Sequence, residues 1–144
     1  MDYLINNAAS GVQKLASELE TKHWDWTLNI NAKAPWLCSV EASKLMKDGG
    51  SIVNISSIGA VLGFPDNPSY CSSKGALEAL TRSLSIDYSI RNIRVNIVRP
   101  GYNIYTTYNT YGIYYIRYGL IEGNDIKIEF LAQSKKSVSV NSVI

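Results

Sequence analysis

The chain has 144 residues, 46% apolar and 18% charged, a balance typical of one soluble globular domain with a real core. Its formal charge is +2 and its fourteen basic residues are scattered, which argues against a nucleic-acid stripe or a polybasic membrane patch. Cys38 and Cys71 lie far apart and His23 is the single histidine, so a Cys/His zinc site is not expected, and a reduced, cytoplasmic setting is.

Tyr3-Leu4-Ile5 reads as the end of a buried parallel strand, and Asn6-Asn7-Ala8-Ala9-Ser10-Gly11 turns out of it. The apolar start is too short for a secretory signal, and the longest apolar stretch, Ile52 to Phe64, is too interrupted for a membrane helix. Thr21 is expected to cap a helix running through Trp24, Trp26, Leu28 and Ile30, with His23 as a solvated side chain near its start. Asn31 falls within that helix, four residues before Pro35. A proline has no N–H to offer the Asn31 carbonyl, so the pair reads either as a bend with a freed, water-binding carbonyl or as an ordinary kink beside a surface Asn.

The helix is expected to continue from Ala34 to Lys47, with Lys44 and Lys47 at its negative end, until Asp48-Gly49-Gly50 stops it. Ser51 to Ile55 reads as the next strand, with Asn54 as a structural hydrogen-bonder. Two apolar strands joined by a helical crossover form a βαβ unit. Gly59 to Asn67 reads as a loop, and Pro68-Ser69 opens a helix whose stripe is Leu77, Leu80, Leu84 and Tyr88. Ile93 to Val98 is a third strand, ended by Arg99-Pro100-Gly101.

Tyr102, Tyr105, Tyr108, Tyr111 and Tyr114 recur every third residue, joined by Tyr115 and Tyr118. A period of three fits neither helix nor strand, so this stretch reads as an aromatic substrate lid or as a biased, partly ordered segment. Ile121 to Ala132 is expected to form one more short helix. One domain is read over 1–134, and 135–144 as a frayed tail.

The chemistry concentrates between Ser57 and Lys74. Tyr70 and Lys74 are four apart on a helix, so both project from one face. A free phenol is too weak an acid to act as a base near neutrality, and a neighbouring ammonium favours the phenolate. Ser57, at the end of the preceding strand, can hydrogen-bond a substrate oxygen as charge builds on it. With ten tyrosines in the chain, a Tyr-x-x-x-Lys pair alone is as well explained by an exposed helix face.

The pair does not stand alone. Asn6-Asn7-Ala8-Ala9 after a strand, Asn31 seven residues after Trp24, Ser57 thirteen residues before Tyr70, then Lys74 and Pro100-Gly101, resemble in order and spacing the classical short-chain dehydrogenase/reductase (SDR) family. The resemblance runs from about Asp2 to Ala132. It implies an α/β fold, a partial Rossmann sheet made of the family's strands four to six with flanking helices. It also implies an NAD or NADP cofactor and an oxidoreductase that transfers hydride between a secondary alcohol and a ketone of a small-molecule substrate.

By the same resemblance the catalytic set is Asn31, Ser57, Tyr70 and Lys74. Tyr70 is the acid/base, Lys74 its modulator and a ligand to the nicotinamide ribose, Ser57 the stabiliser of the reacting oxygen, and the Asn31 backbone the anchor of a proton-relay water. Cofactor contacts are implied for Asn6, Ala8, Tyr70, Lys74, Pro100 and Gly101, and for Thr106 at the carboxamide; no metal is implied. A Gly-rich phosphate loop after a strand is missing, so the chain reads as beginning at the family's fourth strand and stopping before its seventh. The alternative is therefore a catalytically inactive fragment or an association-only subunit. Family members pair across subunits through the helices expected here at 34–47 and 69–89, so a homo-oligomer is a further expectation.

Overall fold

Apolar strands with helical crossovers set the architecture. The computed structural model describes residues 1–102, 111–117 and 129–132. Strands β1 (Tyr3–Asn6), β2 (Ser51–Ile55) and β3 (Arg94–Tyr102) lie side by side in parallel, Leu4 opposite Ile52 and Ile52 opposite Val95. Helices α1 (Thr21–Leu28) and α2 (Ala34–Leu45) connect the first two strands, and α3 (Pro68–Asp87) the next two. This is an α/β fold and a partial Rossmann sheet in contiguous strand order.

Strand alternation decides which residues meet the helices. Ile52 on β2, Ile93 just before β3 and Val95 on β3 bury against Ala42 and Met46 near the end of α2 and against Leu84 of α3. Leu77 packs on Ile97 further along, and Leu80 and Tyr88 close the edges, as the α3 stripe predicts. Residues of opposite parity on β1, Tyr3 and Ile5, are 72% and 64% exposed.

Several boundaries differ from expectation. Thr21 is the first helical residue rather than the cap, and Glu20 precedes it, its carboxylate paired with Lys22 rather than capping the helix backbone. His23 is partly buried, its Nδ1 out of contact with solvent and without a hydrogen-bond partner, rather than solvated. Helix α2 stops at Leu45, because Met46 turns extended to bury its side chain in the core. Lys44 lies in the last turn of α2 as expected, and Arg91, which follows α3, adds bonds to the carbonyls of Ser43 and Met46 at 2.8 and 2.7 Å.

The region after β3 departs furthest. β3 does not end at Arg99 but runs on to Tyr102. Residues Tyr111–Arg117 form β4, antiparallel to β3, and Glu129–Ala132 form β5, antiparallel to β4. The lid reading of Tyr111, Tyr114 and Tyr115 and the helical reading of 129–132 are thus corrected to strands. Aromatic and β-branched residues dominate Tyr-Gly-Ile-Tyr-Tyr-Ile, and the open side of β3 offers the ladder that local periodicity cannot reveal. Tyr105, Tyr108, Tyr118, Thr106 and the tail from 135 lie outside the described residues.

Candidate active site

A cavity of about 970 Å³ opens at the carboxyl ends of the parallel strands, where an α/β sheet binds its ligands. Ser57, Tyr70, Lys74, Pro100 and Gly101 line it, together with Asn7, Ala9 and Gly11 from the turn after β1 and Phe64 from the loop before α3.

Helix α3 is tied to the end of β2 at successive residues. Asn54 Nδ2 donates to Thr81 Oγ1 at 2.9 Å, Lys74 Nζ donates to the Ile55 carbonyl at 2.7 Å, and Ser56 Oγ donates to Glu78 Oε1 at 3.0 Å. Lys74, Glu78 and Thr81 share one face of the helix by spacing, and all three are buried. The turn carrying Ser57 is therefore registered against the helix carrying Tyr70.

Ser57 caps a short 3₁₀ turn, Ile58–Ala60, by accepting the Gly59 N–H at 3.1 Å. With its oxygen engaged there, its hydroxyl proton is left to donate into the cavity. Lys74 is 2% exposed, and its Nζ stands 5.8 Å from the centre of the Tyr70 ring. Burial pushes the Lys74 ammonium down from 10.5 to about 8. Among the described residues its acceptor is the Ile55 carbonyl, which leaves two N–H donors of the charged form for a ligand.

Asn31 is buried and does not line the cavity. It sits in a π-helical turn, Asn29–Lys33, between α1 and α2, so the bend expected from Pro35 is real. Its Oδ1 accepts the Ser10 N–H at 2.8 Å, and its Nδ2 donates to the Ser10 carbonyl at 2.7 Å and to Ser73 Oγ at 2.9 Å. Ser73 in turn donates to the Tyr70 carbonyl at 2.7 Å, so Asn31 joins the turn after β1 to α3 beside Tyr70. Gly11 lies in the same turn, where a Cβ would stand 3.2 Å from Tyr70 Cδ2, so the missing side chain makes room for the ring.

Asn6 and Ala8 also stand outside the cavity lining. Asn6 Nδ2 donates to Asn54 Oδ1 at 2.7 Å, and Asn54 passes the connection to Thr81, so these amides stitch β1 to β2 and α3. Asn7 and Ala9 are the residues of that motif on the wall, placed there by the turn that follows β1, which the motif alone does not reveal. Gly101 faces Ile58 so closely that a Cβ would collide with Ile58 Cγ2. No motif singles out Glu78, although its place one turn beyond Lys74 puts it on the helix face that carries Lys74. Among the described residues no group of three or more His, Cys, Asp or Glu could hold a metal, and no helix is long and apolar enough to cross a membrane.

Comparison with known proteins agrees with this geometry. An uncharacterized oxidoreductase of Schizosaccharomyces pombe is 43% identical over 107 residues, 74% of this chain and 37% of that protein. A 4-hydroxyisoleucine dehydrogenase complexed with NADH and succinate superposes with a TM-score of 0.70 at 31% identity, over 76% of this chain and 52% of that one. An angucycline C-6 ketoreductase with bound NADP gives 0.65 at 36% identity, over 67% and 38%. The chain spans less than half the length of the curated relatives it matches, 37% to 46%. A family model described as enoyl-(acyl carrier protein) reductase matches residues 1–113, and with the fold and motifs above the chain belongs to the short-chain dehydrogenase/reductase family.

Proposed function

We propose that the protein is an NAD(P)-dependent oxidoreductase that interconverts a secondary alcohol and a ketone. The observation that carries this reading is the meeting of Ser57, Tyr70 and a buried Lys74 in one cavity that Pro100 and Gly101 also line. The residues fit a nicotinamide nucleotide: Lys74 has donors to spare for ribose hydroxyls, and Asn7, Ala9, Pro100 and Gly101 form a flank of small groups and backbone. Asn6 and Ala8 serve that flank from behind, and Thr106 is the candidate for the carboxamide. When bound, the nicotinamide supplies the hydride donor or acceptor.

The chain's own residues handle the proton and the oxygen. Tyr70 Oη gives a proton to the carbonyl oxygen in reduction and takes it from the carbinol in oxidation. Ser57 donates a hydrogen bond to that oxygen, and its link to Gly59 N–H orients it beforehand. Lys74, charged below about pH 8, stands beside the Tyr70 ring and holds the ribose side. The Asn31 side chain is fully used by Ser10 and Ser73, which leaves its backbone carbonyl, opposite the missing N–H of Pro35, as the anchor of a relay water.

The protein is further proposed to act in the cytoplasm, in keeping with its free Cys38 and Cys71, and to self-associate through α2 and α3. Trp36, Leu37 and Leu45 on α2 are 44%, 46% and 66% exposed, apolar side chains available to a second copy. Titration of the purified chain with NADH and NADPH, followed by nicotinamide fluorescence and a screen of ketone substrates, tests the function. Saturable binding of one cofactor with turnover is expected. No binding up to millimolar concentration overturns it in favour of a catalytically silent, association-only subunit.

A further inference from the structure

Glu78 is an acidic residue 4% exposed, in the middle of α3 and one turn beyond Lys74. Burying a carboxylate is costly unless it is paired and hydrogen-bonded, so its partners reveal what holds it there. Arg99 donates through Nε to Oε1 at 2.8 Å and through Nη2 to Oε2 at 2.5 Å, a two-pronged pair almost without solvent. The same Oε1 accepts from Ser56 Oγ at 3.0 Å.

Those partners stand next to the groups that face substrate and cofactor in the proposed reaction. Ser56 precedes Ser57, and Arg99 precedes Pro100-Gly101. The ladder bond from Ser56 N–H to the Val98 carbonyl, 2.7 Å, closes the ring. One carboxylate on the Tyr70–Lys74 helix thus holds both strand ends that complete the cavity.

We propose that Glu78 is a positioning residue which, through Ser56 and Arg99, sets the Ser57 hydroxyl and the Pro100-Gly101 backbone against the helix carrying Tyr70 and Lys74. The inference rests on the oxidoreductase reading for its role in catalysis and on the geometry alone for the clamp. A single Glu78→Ala change removes the carboxylate that Arg99 and Ser56 share and leaves a cavity in α3, and failure to fold would then hide the effect. The double variant Glu78→Met/Arg99→Met fills the volume without charge, a replacement that buried pairs commonly tolerate with no loss of stability. Glu78→Gln, which keeps the acceptor for Ser56 and one bond to Arg99, is the milder second variant.

Amide hydrogen exchange on the ligand-free chain reads the clamp. In the double variant, exchange at Ser56 and Gly59 is expected to quicken at least tenfold while the interior amides of α3 keep their protection, with a smaller effect of the same pattern in Glu78→Gln. In turnover, kcat is expected to fall at least tenfold in the double variant, with substrate KM within about twofold and melting temperature within a few degrees of the parent. Unchanged exchange at Ser56 and Gly59 in a folded variant, or an unchanged kcat, overturns the proposal. If the double variant does not fold, Glu78→Gln decides on the same two readouts. Absence of turnover in the unsubstituted chain overturns the oxidoreductase reading, and the exchange measurement, which needs neither cofactor nor substrate, still decides the clamp.

Discussion

At the scale of single residues the site is explained by what each side chain has left to offer after its structural bonds are made. Tyr70→Phe removes the proposed proton carrier and little volume. Its kcat is expected to fall by about 10²–10⁴, with the dinucleotide Kd within a few-fold, in stopped-flow and fluorescence measurements. Lys74 holds fewer protons when folded than when unfolded between about pH 8 and 10.5, because burial lowers its pKa. Stability therefore rises with pH across that window as the penalty of burying the ammonium disappears. The urea midpoint of the parent should gain on that of Lys74→Met between pH 8 and 10.5, and parallel curves would contradict the burial. Gly101→Ala has no room beside Ile58 and is expected to cost about 1–3 kcal/mol in urea unfolding.

At the scale of elements, the π-helical turn and α3 do most of the joining. Asn31 makes three hydrogen bonds across that junction, two to the Ser10 backbone and one to Ser73. Asn31→Ala strips them and leaves buried polar groups unpaired, so a loss of about 2–4 kcal/mol is expected by chemical denaturation, together with a raised dinucleotide Kd as the turn after β1 loosens. Leu84, buried at the α2–α3 seam, should cost about 2–4 kcal/mol as Leu84→Ala while leaving the Kd of the folded fraction alone. That contrast separates an element's fit to the core from its service to the site.

At the scale of the whole molecule, the parallel sheet brings residues from 7 to 101 around one cavity, at the strand ends where crossovers begin and finish. The exposed apolar side chains of α2 make oligomeric state a measurable property: sedimentation should give a dimer or larger species, reduced toward monomer by Leu45→Lys. A monomer at all concentrations would remove the association proposed through α2 and α3.

Much of this was legible in the residues themselves. Strand runs of apolar residues, the α3 stripe and the break at Pro35 are local signals, because periodicity and proline's missing N–H act over a few residues, whereas the set Asn31, Ser57, Tyr70 and Lys74 was legible only through its resemblance to the family. Tertiary structure alone decided the rest. Which residues of Asn6-Asn7-Ala8-Ala9 line the cavity depends on the turn that follows β1. Whether Tyr111–Arg117 is lid or strand depends on the open side of β3. The pairing of Glu78 with Arg99 and Ser56 joins residues more than twenty apart, and no pattern within a helix or strand tells a buried carboxylate where its counter-charge will come from.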